Sequence, residues 1–162
     1  MLKGLRAASV LAAMMCGMPV AAHAQSNAAP APQPYRPGLG DLMTMTVQPR
    51  HIKLWAGGQA GNWAYAAYEL HELQEAFERV ARVSPVWRSH PIAEMVGTIT
   101  KEPMDGLSAA IKAQDPAKFT AAYGQLTDAC NACHQATNQG ILVIRVPDSV
   151  PFTNQDFRPL KP

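Results

Sequence analysis

Apolar residues recur at helical spacing along most of the chain between residues 39 and 140. In residues 39–56 the apolar positions Leu39, Met43, Val47 and Leu54 fall on one face, which predicts a first amphipathic helix. A proline at position 49 cannot donate a backbone hydrogen bond, so we expect a kink or break there. The glycine pair at positions 57 and 58 is expected to end this helix.

Three further helices are predicted by the same periodicity. The second covers residues 62–83, with an apolar stripe on one side and four glutamates on the wetter side. The stripe consists of Trp63, Ala67, Leu70, Phe77 and Val80, and the glutamates are Glu69, Glu72, Glu75 and Glu78. The third helix begins near Pro91 and extends past residue 111, and Pro103 and Gly106 are expected to bend or divide it. The fourth runs from a cap at Asp115 to a stop at Gly140.

Four amphipathic helices joined by short turns predict an all-α fold, an antiparallel four-helix bundle over residues 39–140. Residues 25–38 are rich in proline and alanine and form a lead-in without apolar periodicity. Residues 141–162 form a C-terminal tail, whose first part, residues 141–147, is apolar and β-branched. We expect this part of the tail to lie extended over the bundle.

Residues 1–24 have the layout of a secretory signal peptide. Lys3 and Arg6 form a basic start, an apolar stretch covers residues 7–22, and a small-x-small signal predicts cleavage after Ala24. An uncleaved anchor helix is the alternative, but the apolar stretch is shorter than the ~20 residues that span a bilayer. We therefore expect an exported, periplasmic protein with no stable membrane span after cleavage.

Cleavage changes both the charge and the cysteine count. Loss of two basic residues leaves 12 basic side chains against 12 acidic ones, which gives no indication of a nucleic acid or an anionic membrane as partner. Cys16 is also removed, so Cys130 and Cys133 remain as a single pair. A lipid anchor on Cys16 is disfavoured because the bulky Met15 precedes it.

The remaining pair belongs to the motif Cys130-Asn131-Ala132-Cys133-His134, the C-x-x-C-H signature of covalent haem attachment. On a helix, positions i, i+3 and i+4 share a face, so both thiols and the imidazole point the same way. The two sulfurs can bond the two vinyl groups of one haem c, with His134 as the proximal axial iron ligand. The apolar start of the tail is then placed to screen the haem edge.

Two other kinds of site use similar residues. A disulfide oxidoreductase carries C-x-x-C, but usually at the start of a helix that follows a strand. A zinc site needs a fourth ligand, and the sequence contains no second C-x-x-C. Both alternatives fit an all-helical chain less well than haem does.

A four-helix pattern with C-x-x-C-H in the last helix resembles the class II c-type cytochromes. The segments at residues 50–55 and 62–63 are also similar to a group of small exported bacterial c-type cytochromes. The resemblance implies a cytochrome c-prime-like bundle, either with an open sixth iron position or with a methionine ligand there. It also implies redox partner proteins in the periplasm and a homodimer formed through the first two helices.

Bundle geometry ranks the candidates for the sixth iron ligand. His134 lies about 6 Å before the end of the last helix, and Met43 lies about 6 Å after the start of the first, at the same end of the bundle. Met43 is therefore the preferred sixth ligand, and an open position is the main alternative. His51 lies about 12 Å further along the helix unless Pro49 resets it. The other candidates are Met45, Met95, Met104, His71 and His90.

Three functional hypotheses follow for such a site. An electron carrier needs no catalytic residue beyond the haem pocket, and the sequence contains no other catalytic pattern. A five-coordinate protein would bind NO or CO. A peroxidase would need a distal histidine and arginine, for which Arg50 and His51 are the one adjacent pair. The haem propionates have four candidate partners: Arg50, Arg82, Arg88 and Arg145.

Overall fold

The structure is a computed structural model that describes residues 34–161. The signal peptide and most of the lead-in expected from the sequence lie outside the described residues. Within the described part the chain is all-α, with helices α1 (Leu39–Leu42), α2 (Gln48–Gln59), α3 (Trp63–Val83), α4 (Ile92–Ala113) and α5 (Pro116–Ala136). A π-helical segment, Met43–Val47, joins α1 to α2, so residues 39–59 form one helical path, called the first helix below.

The first helix differs from the prediction at Pro49 and at the glycine pair. The chain does not break at Pro49, which lies in the first turn of α2. The preceding π-helical turn closes with a hydrogen bond from the Gln48 amide to the Met43 carbonyl, so the helical path continues into the proline. The helix also continues through Gly57 and Gly58 to Gln59, because both glycines are buried at close contacts with neighbouring elements.

The other three helices match the predicted positions. Asn62 caps α3 by accepting a hydrogen bond from the Tyr65 amide at 3.2 Å. Asp115 caps α5 by accepting from two backbone amides, and Pro116 occupies the first helical position. The α5 helix ends at Ala136, four residues before the predicted stop. Pro103 does not divide α4, which runs unbroken from Ile92 to Ala113.

Consecutive helices pack against each other, and α2 also contacts α5. The core lies between them, and its largest fully buried apolar side chains are Tyr123, Phe119, Leu54, Leu73, Ile92, Leu107, Leu126 and Val80. Since the connections are short, α3 and α5 both end where the first helix begins. This common end of the helices, near Leu39, carries the candidate site.

The buried face of α3 was predicted incorrectly at two positions. Glu69, expected on the wet side, is only 1% exposed, and Ala67, expected in the stripe, is exposed. The carboxylate of Glu69 tolerates burial because it accepts hydrogen bonds from the Arg50 guanidinium, at 3.2 Å, and from the Tyr65 hydroxyl.

Residues 137–161 form neither helix nor strand, and the one β-bridge in the described part of the chain joins Trp87 to His90. The end of this tail is attached to α3: the Asn62 side chain donates to the carbonyls of Phe157 and Arg158, and Phe157 packs edge-on against Tyr65. Within residues 34–161, no helix is both long enough and apolar enough to cross a bilayer.

Candidate functional site

The C-x-x-C-H motif occupies the last turns of α5. Cys130, Cys133 and His134 are all partly buried, and all three line one cavity at the common end of the helices. Their spacing of three and four residues puts them on the same helical face, as the sequence predicted. The motif therefore presents two thiols and one imidazole to a single space.

That cavity has a volume of about 460 Å³ and mostly apolar walls. Its walls come from the first helix, α4, α5 and the start of the tail, with Phe77 from α3 and Trp87 from the following turn. The volume lies within the range of roughly 300–1,000 Å³ that is typical of cofactor and ligand sites. An apolar cavity with two thiols and one imidazole fits a haem attached through those thiols and ligated by that imidazole.

The imidazole of His134 has a fixed hydrogen-bond partner. Its Nδ1 lies 2.7 Å from the carbonyl oxygen of Leu142. Because a carbonyl only accepts, Nδ1 carries the proton and donates it, and in the neutral ring Nε2 then holds the free lone pair. This is the tautomer in which a histidine ligates a metal through Nε2, with a second group orienting the ring.

The two cysteines are free thiols in this structure. Burial and the neighbouring Cys133 raise the pKa of the Cys130 thiol to about 11, and burial also raises the pKa of Cys133. Both groups therefore stay protonated at neutral pH. A catalytic cysteine of a disulfide oxidoreductase has the opposite property, a lowered thiol pKa.

The first helix supplies the wall that includes Met43. Met43 is partly buried and lines the cavity together with Val47 and His51. The π-helical segment begins at Met43, so the irregular turn of the first helix forms part of the cavity wall. The other methionine candidate of this segment, Met45, is 67% exposed and does not line the cavity.

His51 lines the cavity as well, which the sequence-based height estimate did not anticipate. The cavity extends along the first helix from Leu39 to His51, so a residue two turns beyond Met43 still borders it. His51 is buried, and both ring nitrogens have partners: Nδ1 is 2.9 Å from the Tyr123 hydroxyl and Nε2 is 3.2 Å from the Thr127 hydroxyl. Burial lowers its pKa to about 4, so the ring is neutral near pH 7.

The other two histidine candidates lie elsewhere. His71 is exposed on α3, with Nε2 at 3.4 Å from the carboxylate of Glu75. His90 lies in the turn before α4, where its ring stacks on Trp87 and does not line the cavity.

None of the four arginine candidates lines the cavity. Arg50 pairs with Glu69 and Glu72, and Arg145 pairs with Asp148 at 3.1 Å. Arg88 lies over the Trp87 ring, and Trp87 is itself a wall residue, so Arg88 is one residue removed from the cavity.

The tail closes one side of the cavity with residues 141–144. It is joined to α5 at Asn131, a position inside the motif to which the sequence assigned no role. The Asn131 side chain donates to the Ile144 carbonyl and accepts from the Ile144 amide, both at 2.8 Å. The partners of His51, namely Tyr123 and Thr127, were also missed, because nothing in the sequence pairs residues more than 70 positions apart.

Within residues 34–161, no group of three or more His, Cys, Asp or Glu side chains is close enough together to hold a metal ion between them. Comparison with known proteins adds no relative: no protein-family model matches the chain, and neither a curated protein nor a solved structure is significantly similar to it.

Proposed function

We propose that this protein is an exported mono-haem c-type cytochrome that carries electrons, built as an antiparallel four-helix bundle of the class II kind. The observation that carries the proposal is the convergence of Cys130, Cys133 and His134 on one apolar cavity of about 460 Å³. The hydrogen bond from His134 Nδ1 to the Leu142 carbonyl supports it, since this bond leaves Nε2 as the ligating atom.

Each motif residue then has a defined task. Cys130 and Cys133 would hold the haem through their sulfur atoms, and His134 would bind its iron. The haem supplies a one-electron change between its ferric and ferrous states. The apolar walls, including Val47, Phe77 and Val96, exclude water from it.

Met43 is the proposed sixth ligand. Of the methionine and histidine candidates in the described part of the chain, only Met43 and His51 line the cavity, and both nitrogens of His51 are already hydrogen-bonded. Methionine ligation opposite histidine raises the reduction potential and closes the iron to small molecules, which suits an electron carrier.

The alternative function is that of a five-coordinate cytochrome binding NO or CO. It is favoured by the mostly apolar lining of the cavity, where residues such as Val47 and Val96 offer no ligating atom. A peroxidase has less support, because Arg50 is held by Glu69 and Glu72 outside the cavity and does not accompany His51 there.

The first test asks whether haem is covalently attached. The chain is expressed in a bacterium with c-type haem maturation, and the purified protein is extracted with acid acetone. We expect the haem to stay with the protein, and to be lost from the double variant Cys130→Ala/Cys133→Ala. Haem that extracts freely from the unaltered chain, or that never binds, would overturn the proposal.

The second test identifies the sixth ligand from the reduced absorption spectrum with and without carbon monoxide. We expect a low-spin spectrum that carbon monoxide does not change. Met43→Ala should give a high-spin spectrum and rapid carbon monoxide binding, whereas Met45→Ala, two residues away and exposed, should behave like the unaltered protein. Immediate carbon monoxide binding by the unaltered protein would refute the Met43 ligand and favour the gas-binding function.

A further inference from the structure

We propose that Asn131 is a positioning residue for His134: its carboxamide holds the tail in the register that brings the Leu142 carbonyl onto the imidazole. The inference rests on the proposed function for its effect on a haem, but the contacts themselves belong to this chain alone.

Three hydrogen bonds connect the end of α5 to the tail. Asn131 makes two hydrogen bonds of 2.8 Å to the amide and carbonyl of Ile144, and His134 Nδ1 makes one of 2.7 Å to the Leu142 carbonyl. Asn131 and His134 are three residues apart, so they lie on one face of α5. Leu142 and Ile144 are two residues apart, so in an extended chain their carbonyls point to the same edge.

The spacings on the two sides also match in direction and length. His134, the later of the two helix residues, bonds Leu142, the earlier of the two tail residues, as expected for a chain that turns back after α5. Three residues of helix rise about 4.5 Å and two residues of extended chain about 6.6 Å, a difference that side chains can accommodate. Fixing Ile144 therefore fixes where the carbonyl of Leu142 is presented.

Apart from a turn hydrogen bond of 2.9 Å from the Leu142 amide to the Gln139 carbonyl, little else holds this part of the tail in register. Within residues 34–161, the hydrogen bonds that join residues 141–150 to α5 are those at Asn131 and His134. Two neighbouring tail residues, Ile141 and Val143, are 89% and 75% exposed, so packing contributes little there. Asparagine suits the task because one short side chain supplies both a donor and an acceptor.

The expected consequence concerns the electronic character of the ligand. Donation from Nδ1 to a carbonyl orients an imidazole and raises its basicity, and loss of such a partner typically weakens metal binding by roughly 10–100-fold. We call the two hydrogen bonds between Asn131 and Ile144 the Asn131 clamp. Without this clamp the His134 imidazole loses its fixed acceptor, the Leu142 carbonyl. The iron–imidazole bond should then weaken, and the reduction potential should rise because the ferric state loses more stabilisation than the ferrous state.

The experiment uses the full-length protein with Asn131→Ala and Asn131→Asp. The control is Ala132→Ser, which changes the second x position of the C-x-x-C-H motif. Nitrogen-15 NMR reports the His134 tautomer and the exchange rate of the Ile144 amide, and a redox titration of the haem protein reports the potential. Asn131→Ala should speed Ile144 exchange about tenfold, the scale of a lost hydrogen bond, and should raise the potential.

Asn131→Asp preserves the shape of the side chain and the acceptor for the Ile144 amide but removes the donor to its carbonyl. It should give an intermediate exchange rate for the Ile144 amide, while Ala132→Ser should match the unaltered protein. This graded order separates positioning from general damage to the fold, and Asn131→Asp serves if the alanine variant does not fold.

The two proposals fail in different ways. If haem attaches and Asn131→Ala leaves the His134 tautomer, the Ile144 exchange rate and the potential unchanged, the clamp is wrong and the cytochrome proposal stands. If no haem attaches, the cytochrome proposal fails. The NMR measurements on the haem-free chain then still test the positioning role of Asn131. A changed Ile144 exchange rate and His134 tautomer in Asn131→Ala would support this role, and unchanged values would refute it.

Discussion

Replacing His51 with glutamine should remove a large part of the pH dependence of this protein's stability. His51 is 4% exposed, and its neutral ring bonds the Tyr123 and Thr127 hydroxyls. Burial lowers its pKa from 6.5 to about 4. A glutamine carboxamide also offers a donor and an acceptor, but it does not titrate.

The sign follows from which state binds the proton first. As the pH falls below about 6.5 the unfolded chain takes up a proton at His51, whereas the folded chain does so only near pH 4. Stability from this group is therefore fully present above the unfolded pKa, is lost as the pH falls towards 4, and changes no further below that. At 1.36 kcal/mol per unit of pKa difference, the loss is about 2.5 kcal/mol between pH 7 and pH 4.5.

The assay is urea unfolding of the purified protein at several pH values from 7 to 4.5. The unaltered protein is compared with His51→Gln, and His71→Gln serves as the control because His71 is exposed on α3. The difference in unfolding free energy between the unaltered protein and His51→Gln should shrink by about 2.5 kcal/mol across this range, since only the unaltered protein loses the His51 contribution. A difference that stays constant with pH, or an equal change for His71→Gln, would show that His51 does not cause the loss of stability.

Two further predictions concern the core. A Cβ at Gly58 would overlap the Phe119 ring, so Gly58→Ala should lower stability by about 2 kcal/mol, whereas Gly97→Ala, with nothing within 4 Å of the new Cβ, should raise it by about 0.5–1 kcal/mol. Thermal unfolding of both variants tests this, and equal shifts would contradict it. Glu69→Ala should cost about 2 kcal/mol, because it removes the buried carboxylate that accepts from the Arg50 guanidinium and the Tyr65 hydroxyl and leaves both donors without this acceptor. Glu75→Ala, at an exposed pair, should cost under ~0.5 kcal/mol. Urea unfolding of both glutamate variants tests this. Similar losses of unfolding free energy would show that burial does not strengthen the contribution of the Glu69 ion pair.

Helix positions were predictable because they depend on local signals. The 3.6-residue periodicity located α3, and the cap at Asp115 located the start of α5, each to within a residue. The common face of Cys130, Cys133 and His134 followed from helical spacing alone. That the motif and Met43 border the same cavity also followed from helix order and rise per residue.

The features that escaped prediction depend on distant partners. Glu69 is buried because Arg50, 19 positions earlier, supplies its counter-charge, and periodicity treats every glutamate as a surface residue. Gly58 does not end the first helix, because it is needed for the close approach of Phe119. The link between Asn131 and Ile144 requires knowing how the tail turns back, which no local pattern encodes.

The π-helical turn at Met43–Val47 bears on how related chains should be compared with this one. A π turn holds one more residue than an α turn, so a relative with a regular helix here would have one residue fewer. Removing one residue would rotate the start of the first helix by about 100° and shift it by about 1.5 Å relative to α2. An alignment drawn without that gap would match Met43 with a residue on another face of the helix. The proposed ligand position would then look variable, so the two parts of the first helix should be aligned separately.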